Sequence, residues 1–597
     1  MVNIGIFKTI TKVTMMLTVM SVVIVSILIY RTYGVQDFLL SVNKVQFYAL
    51  ATGLLMFAAV ILGKPKFRLQ LNKLDVALIT YAIFLTVRNY WSTADQIKTD
   101  HYIFLMISLM FYLSAKYFFK DIFFHMSFHI LLVVIISFIA LHGYLWNFGF
   151  FTLDNYIFRS MEFPIKPELL ICLLCLGIPS LLSLATFYRQ NKGVASLLYL
   201  TLVLIIALIF IKDSRYGWGA IVIVSFYVCF PGLIYIWRYT SILPVKLRSF
   251  SVITVLFFIV LPLTLIAGIK ERSDPARLLS WKISWNLFKC QPVWGAGYGS
   301  SSLVYKNGQA DYFLNDGKID SFEAGIAKEN NHPLSQLLLI ALESGIIGIS
   351  LWFYIIFICF TQGCGGLVNR QAATTVLLIL ALGLFSCPLL FFPVQLLLYL
   401  NLSAYSSIMD NTEQKVDKVI SLSKMQVVLL MVASILMMSD RIKIVQPLEM
   451  WKYADRQVPE RKYRLYKELY PRLKGNGIFM FEYGKLLFKR SSYSQALSAF
   501  ELSKKNYSSQ ELYLMIGDAQ KALKQFELAR SAYTFAMGMV PGKIYPKFAL
   551  INLYIETKER LKAVELAHRT LVDSTKVESK EIEELRFALK AYIGEKE

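Results

Sequence analysis

Thirteen stretches of 15–26 predominantly apolar residues recur through the first three quarters of the chain. No other feature limits the possible folds as much. They lie at 13–30, 45–62, 74–89, 102–119, 122–145, 167–187, 194–211, 217–236, 250–269, 335–360, 371–389, 391–408 and 425–439. A helix needs about 20 apolar residues to cross a bilayer core, where each backbone N–H and C=O must be satisfied within the segment. The pattern therefore predicts an all-α, polytopic membrane bundle of about 12–13 spans. Pro388 and Pro393 interrupt the pair at 371–408, which can be read as two spans or as one re-entrant pair, and the parity is the same either way.

Charge divides the chain. Residues 1–439 are 12% charged and residues 440–597 are 31% charged. The second value is that of a soluble domain, and the first is well below the roughly 25% usual for soluble proteins. We expect a membrane domain over 1–439, with a large loop at 270–334, and a soluble domain over 440–597. The net charge of +22 suggests nucleic acid at first. Membrane topology explains most of it, because cytoplasmic loops collect Lys and Arg. With the N-terminus inside, the inner loops hold Lys64, Lys66, Arg68, Lys73, Lys116, Lys120, Arg189, Lys192, Arg238, Lys246, Arg248, Arg370, Lys415, Lys418 and Lys424. An odd number of spans then places 270–334 and the tail outside, in the periplasm of a Gram-negative cell. The N-terminal apolar run lacks a small-residue cleavage site and reads as a first span. Six of the seven cysteines lie in or beside apolar segments and the tail has none, so no disulfide framework and no CxxC metal site is expected.

The tail repeats. Gly484, Ala496 and Phe500 return as Gly517, Ala529 and Tyr533, and a third unit places Ala563 and Ala567. Successive alanines are 33 and 34 residues apart. Small residues where two helices touch, with an aromatic on the second helix, resemble tetratricopeptide repeats. We expect an α-solenoid of about three such units, a number that can bury a shared core. Such arrays bind partners or brace a neighbouring domain.

Three clusters fall on the same expected outer face. One is Asp213-Ser214-Arg215-Tyr216-Gly217. A second comprises Glu271, Arg272, Asp274, Arg277, Trp281, Lys282, Trp285 and the glycine-rich run 292–299, which contains Gly295, Gly297, Tyr298 and Gly299. The third is Asn330-Asn331-His332-Pro333, running into Gln336, Glu343, Gly345 and Gly348. The glycine run is too short and wrongly spaced for a dinucleotide or P-loop site. Taken singly, the arginines read as interfacial snorkels and the aromatics as interfacial anchors. Together they suit a phosphate-bearing group, since guanidinium binds phosphate bidentately and keeps its charge. A histidine beside them can take a proton from a hydroxyl near neutral pH. Arginines facing a diphosphate stabilise it as it departs. Asp311, Asp316, Asp320 and Glu323 are too loosely spread for a metal and read as a solvated face. This inventory fits glycosyl transfer from a lipid diphosphate, without metal or cofactor.

The runs IKDSRYGWGA (211–220), ARLLSWKISWNLFKCQPVWGAGYGS (276–300) and NNHPLSQLLLIALESGIIGI (330–349) resemble the signatures of the O-antigen ligase superfamily. That superfamily groups O-antigen ligases, Wzy-type polymerases and bacterial O-linked oligosaccharyltransferases. The run FSCPLLFFPVQLL (385–397) is similar to its proline-bearing penultimate spans, and MGMVPGKIYPKFALINLY (537–554) to the repeat tail of a Bacteroidota-type branch. The resemblance implies transfer of a glycan from undecaprenyl diphosphate to an acceptor hydroxyl on the periplasmic face of the inner membrane. The acceptor would be lipid A-core, protein or a growing glycan. By motif, His332, Arg215 and Arg277 would be catalytic. Arg215, Arg277 and Arg272 would hold the diphosphate, and Trp281, Tyr298 and Glu343 would position the acceptor or the loop. One departure matters. The family often has His-Asn nine residues before its glutamate, where this chain has Leu334 before Glu343, and His332 stands eleven before it. That shift turns a helix by about 200°, which matters if the stretch is helical; at a loop-to-helix junction the backbone could absorb it. The alternatives are a Wzy-type polymerase and, from another class, a non-enzymatic flippase or transporter of lipid-linked glycan with a docking tail. The transporter predicts charges in the middle of several spans, and Glu343 is the chief exception to their absence. A protein partner is expected at the tail, and no nucleic acid.

Overall fold

The computed structural model describes residues 2–28, 35–62, 68–91, 96–147, 166–212, 214, 217–222, 274–315, 321–361, 367–413, 420–572, 584, 587 and 590. Arg215, Arg272 and nearly all of the expected spans 217–236 and 250–269 lie outside the described residues. In chain order come α1 (Val2–Leu28), α2 (Val35–Leu62), the strand β1 (Arg68–Leu71), α3 (Lys73–Trp91), α4 (Gln96–Phe118), α5 (Ile122–Asn147), α6 (Pro167–Phe187) and α7 (Lys192–Ile211). Three loop helices follow: α8 (Asp274–Cys290), α9 (Ser301–Asn315) and α10 (Phe322–Ile326). The bundle resumes with α11 (Gln336–Thr361), α12 (Leu367–Phe385), a 3-10 turn (Pro388–Leu390), α13 (Phe392–Glu413), the strand β2 (Ile420–Ser423) and α14 (Lys424–Asp455).

Eleven of these helices coincide with expected spans. Among the described residues, six contain segments long and apolar enough to cross a membrane: Phe38–Met56, His101–Phe118, Phe123–Leu145, Pro167–Phe187, Lys192–Ile211 and Gln336–Thr361. Outer faces of the bundle helices stay apolar. Phe123, Ile130, Val134, Phe138 and Leu141 form an exposed stripe at helical spacing on α5, and Val428, Leu429, Val432, Ile435 and Leu436 form one on α14. In water such stripes would drive aggregation; in hydrocarbon they are the natural surface.

The structure adds three things to the expected bundle. The first is a four-residue antiparallel ribbon. Arg68 pairs with Ser423 and Leu71 with Ile420, joining the approaches to α3 and α14 at one end of the bundle. The second is a correction. Lys116, counted among inner-loop charges, is fully buried in an ion pair with Asp75. Asp75 also accepts from Asn72 N at 2.8 Å and Ser406 Oγ at 2.7 Å, and from the Tyr112 hydroxyl. A buried ion pair is tolerable when its remaining hydrogen-bonding positions are filled, and here neighbouring helices fill them. Lys116 therefore does not act as an exposed topological charge. The third concerns the last span, which is not short. The helix α14 runs 32 residues, about 48 Å at 1.5 Å per residue. It passes position 440 unbroken and packs along α2, where Arg441 donates to Asn43 Oδ1 at 3.0 Å and Gln46 Oε1 at 3.3 Å.

The tail continues as α15 (Pro459–Leu473), α16 (Gly477–Lys489), α17 (Tyr493–Lys504), α18 (Gln510–Ala522), α19 (Phe526–Met539), α20 (Ile544–Glu556) and α21 (Arg560–Val572). It is a solenoid of helix pairs. A Cβ on Gly484 would stand 2.4 Å from the ring of Phe500, and one on Gly517 would stand 2.4 Å from that of Tyr533. Each glycine thus lets the aromatic of its partner helix lie against backbone. Ala496, Ala529 and Ala563 are fully buried at these crossings. The backbone keeps the same period. Ser491, Lys524 and Lys558, with φ of 57°, 59° and 63°, close the first helix of each pair in left-handed turns.

Candidate functional site

The site begins with a broken helix. At Gly345 the backbone of α11 takes φ 64° and ψ −163°, a region open essentially to glycine alone. Such a break at membrane depth needs replacement hydrogen-bond partners, and the glycine-rich loop supplies them. Ile346 N donates to Pro292 O at 2.8 Å, Ala296 N to Leu342 O at 2.8 Å and Gly297 N to Glu343 O at 2.9 Å. The approach is tight on both sides. A Cβ on Gly345 would lie 2.2 Å from Val293 O, and one on Gly295 would lie 2.5 Å from the Glu343 carbonyl carbon. The run 292–299 is therefore a backbone partner for the break, which neither local pattern announced.

Residues at the end of α3 hold this loop in place. Arg88 Nη2 donates to Gly295 O at 2.5 Å, and Asn89 Oδ1 accepts from Tyr298 N at 3.0 Å. Phe84 stacks on Trp294 with ring centroids 6.2 Å apart. Arg88 and Asn89 were not among the expected site residues; the only signal in the sequence is that both stand at the end of the expected span 74–89.

The break leaves Glu343 at the start of α9. Its side chain is buried and accepts from Ser301 N at 3.4 Å, with Gly299 N contributing as well. The unsatisfied N–H groups and dipole of a helix start favour an acceptor there. Ser301 Oγ lies 3.1 Å from His332 Nδ1. One serine thus touches both the histidine and the glutamate singled out from the sequence. His332 precedes α11 and stands in irregular backbone. Burial of its ring lowers the imidazole pKa to about 3, with repulsion from His101, Lys306 and Lys166 adding to the effect. At neutral pH the ring is therefore neutral and a weak base, and a negative group brought beside it, such as a diphosphate, would raise its affinity for a proton. Beside Glu343 is a cavity of about 40 Å³ lined by Tyr81, His101, Tyr298, Gln336, Gln395 and Tyr399, among others. That is room for water, not for a sugar. The Tyr298 hydroxyl bonds Gln395 at its wall.

Arg277 and Trp281 share one face of α8. The Arg277 guanidinium lies 5.4 Å over the ring of Phe385, and between the two residues Ser280 Oγ accepts from Leu334 N at 3.3 Å. The helix is thereby tied to the segment carrying His332. The Trp281 indole Nε1 is buried with no hydrogen-bond acceptor among the described residues. The structure thus unites His332, Glu343 and Tyr298 around Ser301 and the broken helix, with Arg277 and Trp281 on the neighbouring α8. Ser301, Arg88, Asn89 and His101 were not anticipated.

Residues 200–353 match the family model described as O-antigen ligase. No curated protein matches the chain. Among solved structures, one described as the crystal structure of the APC/C hetero-tetramer Cut9-Hcn1 aligns at 12% identity over 92% of this chain and 86% of that one, with a TM-score of 0.21. A superposition that loose has no bearing on the fold.

Proposed function

We propose that the chain is a membrane glycosyltransferase. It moves a glycan from undecaprenyl diphosphate to an acceptor hydroxyl at the periplasmic face of a bacterial inner membrane. The observation that carries this reading is the O-antigen ligase match over residues 200–353, because that stretch holds all seven candidate site residues: Arg215, Arg272, Arg277, Trp281, Tyr298, His332 and Glu343. The geometry around Ser301 supplies the chemistry. With Nδ1–H donating to Ser301 Oγ, the Nε2 lone pair of His332 faces the acceptor as general base. The acceptor oxygen attacks the anomeric carbon and its proton passes to His332. The carbon–oxygen bond to the diphosphate breaks, and its electron pair leaves on the diphosphate. Arg277, with Arg215 and Arg272, neutralises that charge, and fixed guanidinium groups do so without reorganisation. No step needs a metal or a cofactor. Trp281 supplies a buried donor for a donor or acceptor oxygen. The acceptor is lipid A-core, protein or glycan, and the tail also offers a surface for a protein partner.

The test is Arg277→Ala and Arg277→Lys in living cells. Both should leave a folded protein, lose surface glycan and accumulate the lipid-linked donor, because lysine does not reproduce the planar fork. Unchanged surface glycan in both variants overturns the reading. In a deletion strain, loss of long chains with one repeat unit still attached would instead identify a polymerase.

A further inference from the structure

The tail and the loop between α7 and α11 are not independent. Gln309 on α9, itself buried, donates from Nε2 to Lys328 O at 3.1 Å and to Met539 O at 2.6 Å. One amide thus ties α9 both to the backbone four residues before His332 and to the end of α19 in the tail. Lys543 forms an ion pair with Glu329 at 2.7 Å. Lys306 Nζ donates to Ser508 O at 3.1 Å, and Ser508 Oγ donates to Asn307 Oδ1 at 2.6 Å. Gly538 lets α19 press on α9, since a Cβ there would meet Leu314 Cγ at 2.8 Å and Ala310 O at 3.0 Å. The seam leaves a void of only about 10 Å³. At the other end of α9 stands Ser301, which touches His332 and Glu343.

We propose that the repeat tail is a positioning element of the transfer site. It clamps the far end of α9 and the 328–330 segment, so that Ser301 and His332 meet. The binding partner of this face of the tail is then the chain's own outer loop, and the remaining faces are left for other proteins. A free loop 328–335 would sample many arrangements of His332, whereas hydrogen bonds at Lys328 O and an ion pair at Glu329 restrict it from a side remote from the acceptor. Ordering of this kind raises the fraction of molecules with the base in place, so its loss lowers turnover and not donor affinity. The proposal rests on the glycosyl-transfer reading only for this kinetic consequence.

The experiment uses the full chain in detergent with Gly538→Leu, Gln309→Leu and, as a control within the tail, Lys485→Ala. The nearest atoms to a Cβ at 538 belong to α9 and not to the tail, so Gly538→Leu parts the two while the solenoid still folds. Amide hydrogen exchange over 328–335 should quicken roughly tenfold in both seam variants, as expected when local order is lost without global unfolding. Exchange in α16–α18 should not change. With lipid-linked donor, kcat should fall about tenfold at constant KM, and Lys485→Ala should match the unaltered protein. If Gly538→Leu loosens 310–314 and 536–540 while 328–335 keeps its protection, the tail is a passive neighbour and the proposal is overturned. Gln309→Leu with an unchanged exchange pattern overturns it too. If the exchange coupling holds but the unaltered chain transfers no glycan, the clamp stands and the transfer reading is what fails.

Discussion

Replacing Gly345 by alanine tests the central claim about the site, that a broken helix and a glycine loop are built for each other. The native φ of 64° with ψ −163° costs a non-glycine residue about 1–3 kcal/mol. The added methyl would also stand 2.2 Å from Val293 O, so the loop must move or α11 must re-form through position 345. Re-forming restores the Ile346 N to Leu342 O bond of a regular helix but strips the loop of three backbone hydrogen bonds, to Leu342 O, Glu343 O and Ile346 N. These are worth about 1 kcal/mol each. Either route costs about 2–3 kcal/mol, and both move Glu343 away from Ser301. Thermal unfolding in detergent should show a lower Tm, limited proteolysis should open the chain within 291–300, and glycan transfer should be lost. Gly325→Ala is the control, because nothing stands within 4 Å of its would-be Cβ. A Gly345→Ala protein with the Tm, loop protection and activity of the unaltered chain would refute the reasoning.

Other expectations follow from single contacts. Ser301→Ala removes the hydroxyl that meets His332 Nδ1 while keeping the backbone N–H that donates to Glu343, and should lower kcat about 10–100-fold; Ser301→Thr, which keeps the hydroxyl, should recover most of it. Burial holds the His332 imidazole at about 3 when folded, below its ordinary 6.5. The unfolded chain then binds the extra proton between those two values, so His332 costs stability as pH falls through that window and nothing above it. His332→Gln should flatten the stability–pH curve there, and an unchanged slope would count against the assigned environment. Lys116→Met leaves the Asp75 carboxylate buried without its cation and should cost about 3–5 kcal/mol in chemical denaturation, while Lys116→Met with Asp75→Leu should cost much less. Lys524→Gly in the left-handed turn between α18 and α19 should raise the unfolding midpoint of the tail slightly, since that conformation costs a lysine about 1 kcal/mol.

Much of this architecture is legible along the chain because it is periodic. Apolar runs of helical length locate eleven helices, and the 33–34-residue spacing of Ala496, Ala529 and Ala563 returns in the structure as buried helix crossings. Burying an apolar face or crossing two helices imposes a local repeat that composition cannot hide. Clustering of His332, Arg277, Trp281, Tyr298 and Glu343 near one expected surface is legible for a related reason, as polar residues gather where apolar spans end. How they meet has no such signature. The bond from Ala296 N to Leu342 O joins backbone atoms 46 residues apart, and Gln309 reaches Met539 O across 230 residues. Neither carries a period or a motif, because a backbone partner has no residue identity and a buried glutamine looks like any other in sequence. Lys116 was misplaced for the same reason, since its burial depends on Asp75 and Ser406 coming from other helices. Local patterning along the chain specifies the membrane bundle, the repeat and the side-chain chemistry on hand. The break at Gly345, the joining of histidine to glutamate at Ser301 and the grip of the tail on the loop emerge only on folding, because each depends on contacts between residues distant in the chain.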